Sequence, residues 1–187
     1  MQRKLVESFA LHAIIKDGNA ADTGLPIKSC DLVVMRRVVH YLPNFQDGLD
    51  EIYKILKPGG FLISEFANSK NLKSRLRHFF KLRSVPLTPI QVKASQEIDI
   101  PFVNHHPGTV KKMIQEDGFV IQKILSVSNF RSPMLKKFLP VSTLLATERF
   151  LQWPLGKLYF GPGIFILARR PATLKDTGEL KIGTLDE

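Results

Sequence analysis

Cysteine is almost absent from this chain: Cys30 stands alone among 187 residues. One thiol excludes an internal disulfide framework and fits a reducing compartment, so a cytoplasmic location is expected. The histidines show no Cys/His cluster at zinc-ligand spacing, and no metal site is expected. Long apolar runs are missing too. A stretch such as Gly163 to Ala168 falls far short of the roughly 20 residues a membrane-crossing helix needs. Residues 1–15 carry Arg3, Lys4 and Glu7 without a long apolar core, so no secretory signal is expected. Acid is unevenly spread, with none between Glu65 and Glu97.

What is present is ample apolar residue and an excess of base. The chain is long enough for one domain with a real core. Its net charge of +10 is compatible with nucleic acid, an anionic membrane surface, an acidic small substrate, or a basic surface without a specific partner.

Along the chain, Leu11 to Ile15 reads as a strand end before the turn Lys16-Asp17-Gly18-Asn19, and Gly24-Leu25-Pro26 as a loop. Asp31 to Val34 is a continuous apolar run opened by an acid, the pattern of a strand buried on both faces. Leu49, Ile52, Tyr53 and Leu56 make one helical stripe. Asn44 is placed to cap that helix, with Asp47 and Asp50 at its positive end. Lys57-Pro58-Gly59-Gly60 stops it, and Phe61-Leu62-Ile63 resumes a strand. A short helix follows over Thr109 to Asp117, stopped by Gly118, then a strand over Phe119 to Val127. Helical material over Pro133 to Gln152 and a last strand over Gly163 to Arg169 complete the pattern. Strand and helix alternate, which predicts an α/β sheet of mostly parallel strands with an antiparallel last strand. The expected organisation is one domain over 1–170, a basic helical insertion at about 69–103, and a polar tail over 171–187 left without structure.

The stretch from Gly18 to Asn68 resembles the second half of a class I S-adenosylmethionine-dependent methyltransferase of the methyltransferase domain 11 type. The resemblance rests on Leu25-Pro26-Ile27, Asp31-Leu32-Val33-Val34, Val38-Val39-His40-Tyr41-Leu42, and the helix, turn and strand ending at Leu56 to Ile63. It continues more weakly through His105-His106-Pro107, Gly118-Phe119 and Ser128-Asn129-Phe130-Arg131. It implies a Rossmann-like methyltransferase sheet, S-adenosylmethionine as cofactor, and a small-molecule or lipid methyl acceptor.

The same resemblance implies roles for particular residues. Asn19, Ala20, Ala21 and Asp22 would face the cofactor's adenine. The family's acid stands four residues before the Leu of Leu-Pro, where this chain has Ala21; Asp22 lies one residue later and Asn19 two earlier. Met35, Arg36 and Arg37 would lie at a strand's carboxyl end, against the cofactor's methionine moiety. His40, His105 and His106 are the candidates for a catalytic base. Simpler readings stand beside these: a strand leaving a core for the arginines, helix packing for His40, a turn residue for Asp22, a helix-entry loop for His105 and His106, and a small buried side chain for Cys30.

The family also needs a first strand ending in a glycine-rich loop, and an acid after the second strand. The sole Gly-x-Gly here is Gly161-Pro162-Gly163, which precedes a strand. The expectation is therefore an N-terminally truncated domain with weak cofactor binding, whose strand at Asp31 needs missing strands, residues 1–15 or another chain to cover it.

Lys70, Lys73, Arg75, Arg77, Lys81 and Arg83 crowd one segment, in which Leu72, Leu76, Phe79 and Phe80 would share a helical face. A lid over an anionic or lipid-like substrate, an anionic membrane contact through Lys70, Lys73, Arg77 and Lys81, and a solvated basic face all fit. Nucleic acid fits less well, since aromatic interleaving is thin. The reading from a different functional class is a non-catalytic basic module that docks on a membrane or a partner protein.

Overall fold

The computed structural model describes residues 16–42, 44–82, 84–92, 102–130 and 137–172. The expected strand end at Leu11 to Ile15, Arg83, residues 93–101 of the insertion, Arg131 with the predicted helix start at Pro133, and the tail from 173 onward lie outside them.

Strand β1 (Cys30–Met35) leads through a 3-10 turn at Val39–Tyr41 into helix α1 (Phe45–Ile55), and β2 (Leu56–Ala67) follows directly. Asn44 caps α1 by accepting from the Gln46 N–H, and Asp47 sits in the first turn, as the sequence predicts. Leu49, Ile52 and Leu56 are buried to 3% exposure or less, with Tyr53 packed at the margin. The Lys-Pro-Gly-Gly turn is a loop within β2: Cys30 pairs with Leu56, but Leu32 pairs with Phe61. Gly59 has φ of 82° there, and a side chain at Gly60 would meet the Lys57 carbonyl at 2.9 Å. Lys57 Nζ closes the loop on the Asp31 carboxylate at 2.8 Å.

The sheet runs β1-β2-β6-β5, with β5 at Val120–Val127 and β6 at Gly163–Arg169. β1 and β2 are parallel; β6 is antiparallel to both β2 and β5, giving the antiparallel last strand that the sequence predicts. Leu62, Ser64 and Phe66 of β2, with Ile164, Ile166 and Ala168 of β6, point to one face and are at most 1% exposed. Phe45, Leu49 and Ile52 of α1 and Val110 and Ile114 of α3 (Pro107–Glu116) cover that face. The opposite face differs from the expectation of a strand buried on both sides. Leu32 and Val34 of β1 are 51% and 55% exposed, because no described element covers them and β1 forms the sheet edge among the described residues.

The remaining elements are α2 (Leu72–Phe80), the hairpin pair β3 (Ile90–Val92) and β4 (Phe102–Asn104), and α4 (Val141–Lys157). Helix α4 extends past the predicted end at Gln152, carrying Pro154 in its last turn. It packs closely on β5, where Gly156 lies against the backbone of Ile124 and Leu125.

Candidate active site

The carboxyl ends of the parallel pair β1 and β2 open onto a cavity of about 340 Å³. Its floor is a row of strand ends, Ala67 beside Gly163 beside Val127. Arg37, His40, Tyr41, Glu65, Phe102 and Ser128 form its walls. Open α/β sheets bind ligands at this end because loops leaving the strands diverge and leave a crevice.

Each wall residue has a local reason to be there. Arg37 follows β1 with φ of 57°, a left-handed conformation that turns the chain out of the strand direction. The 3-10 turn then buries His40 at 6% exposure. The His40 ring lies 4.3 Å from both the Tyr41 and Phe102 rings, and Tyr41 meets Phe102 edge-on at 5.8 Å. Glu65, the last polar residue of β2, points to the face away from the main core, with Oε2 lying 3.8 Å from Arg36 Nε and making no hydrogen bond.

The three histidines fare differently. His40 Nδ1 is buried and has no hydrogen-bond partner. Burial, then the nearby His105 and Arg37, lower its pKa below the ordinary 6.5, so the ring is neutral at pH 7. His105 is buried at 7% exposure beside Phe45, with Nε2 unpartnered. Burial lowers its pKa as well, partly offset by a hydrogen bond to the Val39 backbone. His106 is structural, since its Nδ1 accepts from the Gly108 N–H at 3.2 Å and caps α3. Burial, with Lys70 and Arg75 nearby, lowers its pKa too.

The loop over Asn19 to Asp22 is a closed turn. Asn19 Oδ1 accepts from the Ala21 N–H at 3.0 Å, and the Asp22 N–H returns to the Asn19 carbonyl at 3.1 Å. The Asp22 carboxylate takes no part in these bonds. Thr23 anchors the loop to α1, donating to Glu51 Oε1 from its hydroxyl at 2.7 Å and its N–H at 3.0 Å. Those two bonds hold the Glu51 carboxyl below its usual range. Near Gly48 a methyl group would lie 3.9 Å from both the Ala20 carbonyl and the Met35 side chain. Loop and β1 terminus therefore converge over the start of α1.

Arg37, His40 and Glu65 thus meet at one cavity, Arg36 approaches it through Glu65, Ala20 and Met35 come together at Gly48, and His106 stands apart as a cap. Sequence reasoning missed Tyr41, Glu65, Phe102 and Ser128 as site residues. An acid near the end of an otherwise apolar strand was the available signal for Glu65, and the Ser128-Asn129-Phe130-Arg131 run was a weak one for Ser128; Phe102 arrives from a distant segment and carried none.

As a cradle for S-adenosylmethionine these residues fit at one end. Arg36 and Arg37 suit an anionic carboxylate of a methionine moiety. The Gly161-Pro162-Gly163 run does not suit a nucleotide: side chains there would strike Ser126, Val127 and Asn129 of the chain itself, so its close approach is already used in packing. Among the described residues no cluster of His, Cys, Asp and Glu is arranged to hold a metal.

A family model described as a methyltransferase domain matches residues 2–64. The ubiquinone/menaquinone biosynthesis C-methyltransferase of Hydrogenovibrio crunogenus is 29% identical over 117 residues, 59% of this chain and 46% of that protein. A probable S-adenosylmethionine-dependent methyltransferase of Mycolicibacterium smegmatis is 26% identical over 143 residues, 73% of this chain and 56% of that protein. The chain spans about half the length of these curated relatives. In fold it is similar to a methyltransferase of Thermotoga maritima, a possible histamine N-methyltransferase, with TM-score 0.57 at 18% identity, covering 89% of this chain and 69% of that one. A second similar fold is that of a Listeria monocytogenes putative methyltransferase, with TM-score 0.57 at 14% identity, covering 91% and 76%. In its strand–helix–strand unit and its fold, the chain is similar to the class I S-adenosylmethionine-dependent methyltransferases.

Proposed function

We propose that the cavity at the ends of β1 and β2 is the acceptor site of a methyltransferase acting on a small molecule, with His40 as the group that takes the acceptor's proton. The observation that carries this reading is a buried imidazole with a free ring nitrogen, set in the wall of a cavity where the family fold binds ligands. The cofactor, when bound, supplies a methyl group on a positively charged sulfur. Alignment and proton removal are then left to the chain, since in-line displacement depends mainly on how nucleophile and donor are held.

Tyr41 and Phe102 offer ring edges and faces that favour an apolar or planar acceptor. Arg37 and Ser128 add donors at the rim. A neutral His40 is in the correct state to accept a proton, and His105 behind it disfavours a second positive charge there. The quinone-type acceptor suggested by the Hydrogenovibrio crunogenus relative's name is one candidate, and a lipid-like molecule another.

The 187-residue chain by itself is proposed to bind S-adenosylmethionine more weakly than micromolar, because the described residues offer the methionine end contacts and the adenosine end no glycine-rich cradle. Calorimetric titration of the chain with the cofactor tests this directly; micromolar affinity would overturn it. At saturating cofactor, release of S-adenosylhomocysteine in the presence of pooled small acceptors tests the activity. No release above the solvent background, or release unaffected by Arg37→Ala and His40→Gln, would remove the cavity as its site.

A further inference from the structure

Helix α2 is mounted inside out. Its polar side chains Ser74, Arg75 and His78 are partly buried, while Leu72, Leu76, Phe79 and Phe80 are 40%, 49%, 72% and 80% exposed. The inward mounting is specific. Arg75 donates to the carbonyls of Lys70 and Leu158, Asn71 caps the helix at Ser74, and His78 Nδ1 lies 2.8 Å from the Ser74 carbonyl. The bond from Arg75 to Leu158 ties the polar side to the segment after α4, and the apolar side faces outward. Leu82, just beyond the helix, is 94% exposed.

Base flanks this outward apolar arc. Lys73 and Arg77 are exposed next to it on α2, and Lys81 follows it. No acid occurs between Glu65 and Glu97 to neutralise them. The end of α4 joins α2 at this place, where the Leu72 N–H donates to the Phe160 carbonyl at 2.9 Å. Helix α4 repeats the pattern. Phe150 and Trp153 are 81% and 52% exposed, Arg149 is exposed, and Lys157 Nζ sits 4.0 Å over the Trp153 ring. Its one acid, Glu148, is turned inward onto the Asn129 amide and backbone.

We infer that the outer faces of α2 and α4 dock this protein on an anionic lipid bilayer, the α2 phenylalanines entering the acyl boundary and the bases meeting headgroup phosphates. An apolar arc bordered by Lys and Arg, with Trp beside it, is the arrangement that interfacial helices use. Charge decides the occupant. A second copy would bring the same bases against these, whereas an anionic leaflet complements both helices. No described helix is long and apolar enough to cross a membrane, so the contact lies along the surface. Vesicle binding needs neither cofactor nor acceptor, and its outcome is therefore independent of the acceptor cavity.

Co-sedimentation of the full chain with vesicles of phosphatidylcholine mixed with phosphatidylglycerol, against pure phosphatidylcholine, tests it. Binding to the anionic vesicles is expected, weakening with salt, with a blue shift in the emission of Trp153, the chain's one tryptophan. At about fivefold per charge removed, Lys73→Glu/Arg77→Glu/Lys81→Glu should lower the partition coefficient by on the order of a hundredfold or more. Phe79→Ser/Phe80→Ser should lower it by about tenfold or more. Reversing two charges away from this surface, Lys111→Glu/Lys112→Glu on α3, should cost only a few-fold through net charge. All of these positions are solvent-exposed, and unchanged circular dichroism confirms folded variants. Absence of binding to anionic vesicles, equal losses in the α2 and α3 variants, or a dimer that dissociates in the Phe79/Phe80 variant without vesicle binding would each overturn the inference.

Discussion

His40 gives up its hydration on folding and leaves Nδ1 without a replacement bond, while His105 and Arg37 repel any proton that arrives. Such a group destabilises the fold unless something useful, a ligand proton in this reading, sometimes occupies the nitrogen. The His40→Gln variant keeps volume and removes the base, and it is expected to lower turnover by roughly 10²- to 10⁴-fold while leaving cofactor affinity unchanged. The acid limb of the wild-type pH profile should then disappear from the residual rate; a retained limb would assign it elsewhere. The same shift has a sign for stability. Folded pKa values of His40, His105 and His106 all lie below the unfolded 6.5, so folding is favoured above that pH and loses support as pH falls through the lowered values. The melting temperature should therefore drop below about pH 6.5, and less steeply in His40→Gln, as a thermal-melt series across that range would show.

Asn68 shows how an element is held by one side chain. It is 1% exposed at the end of β2, donates from Nδ2 to the carbonyls of Tyr159 and Gly161 at 2.9 and 2.7 Å, and accepts from the Lys70 N–H at 2.8 Å. Those bonds tie together β2, the end of α4 and the entry to α2. Replacing it with alanine takes the partner from one buried and two partly buried backbone groups, so a loss of about 3 kcal/mol is expected in urea denaturation, against under about 1 kcal/mol for an exposed control such as Lys111→Ala. At this scale the sequence was informative where periodicity sets the outcome. The cap at Asn44, the stripe Leu49-Ile52-Leu56 and the stop at Gly118 follow from local chemistry alone. The orientation of α2 did not. Periodicity shows that Leu72, Leu76, Phe79 and Phe80 share a face, but Arg75 and Asn71 bonding to distant or irregular backbone decides that the face points out. The cavity was half legible for a similar reason: Arg37 and His40 follow a strand visible in sequence, whereas Phe102 and Ser128 reach it through contacts between segments far apart in the chain.

For the molecule as a whole, two groups of exposed apolar residues have different consequences. The α2 and α4 faces are curved helical surfaces bordered by base. The β1 edge is a flat row, with Leu32 and Val34 over half exposed and Phe61 of β2 beside them at 37%. Helix surfaces of like charge repel copies of themselves, but a strand edge offers backbone N–H and C=O groups that any second strand completes, whatever the charge around it. Self-association of the isolated chain should therefore run through β1 and persist at high salt, where repulsion between +10 molecules is screened. A lysine at position 34 puts charge on that row without touching the covered face, which Val33 and Met35 occupy. Val34→Lys is expected to suppress concentration-dependent light scattering while shifting the melting temperature by less than about 3 °C, since an exposed side chain contributes little to folding. Phe79→Ser/Phe80→Ser should leave the same scattering unchanged. If the phenylalanine variant abolishes it and Val34→Lys does not, the edge is covered in solution and association proceeds through α2.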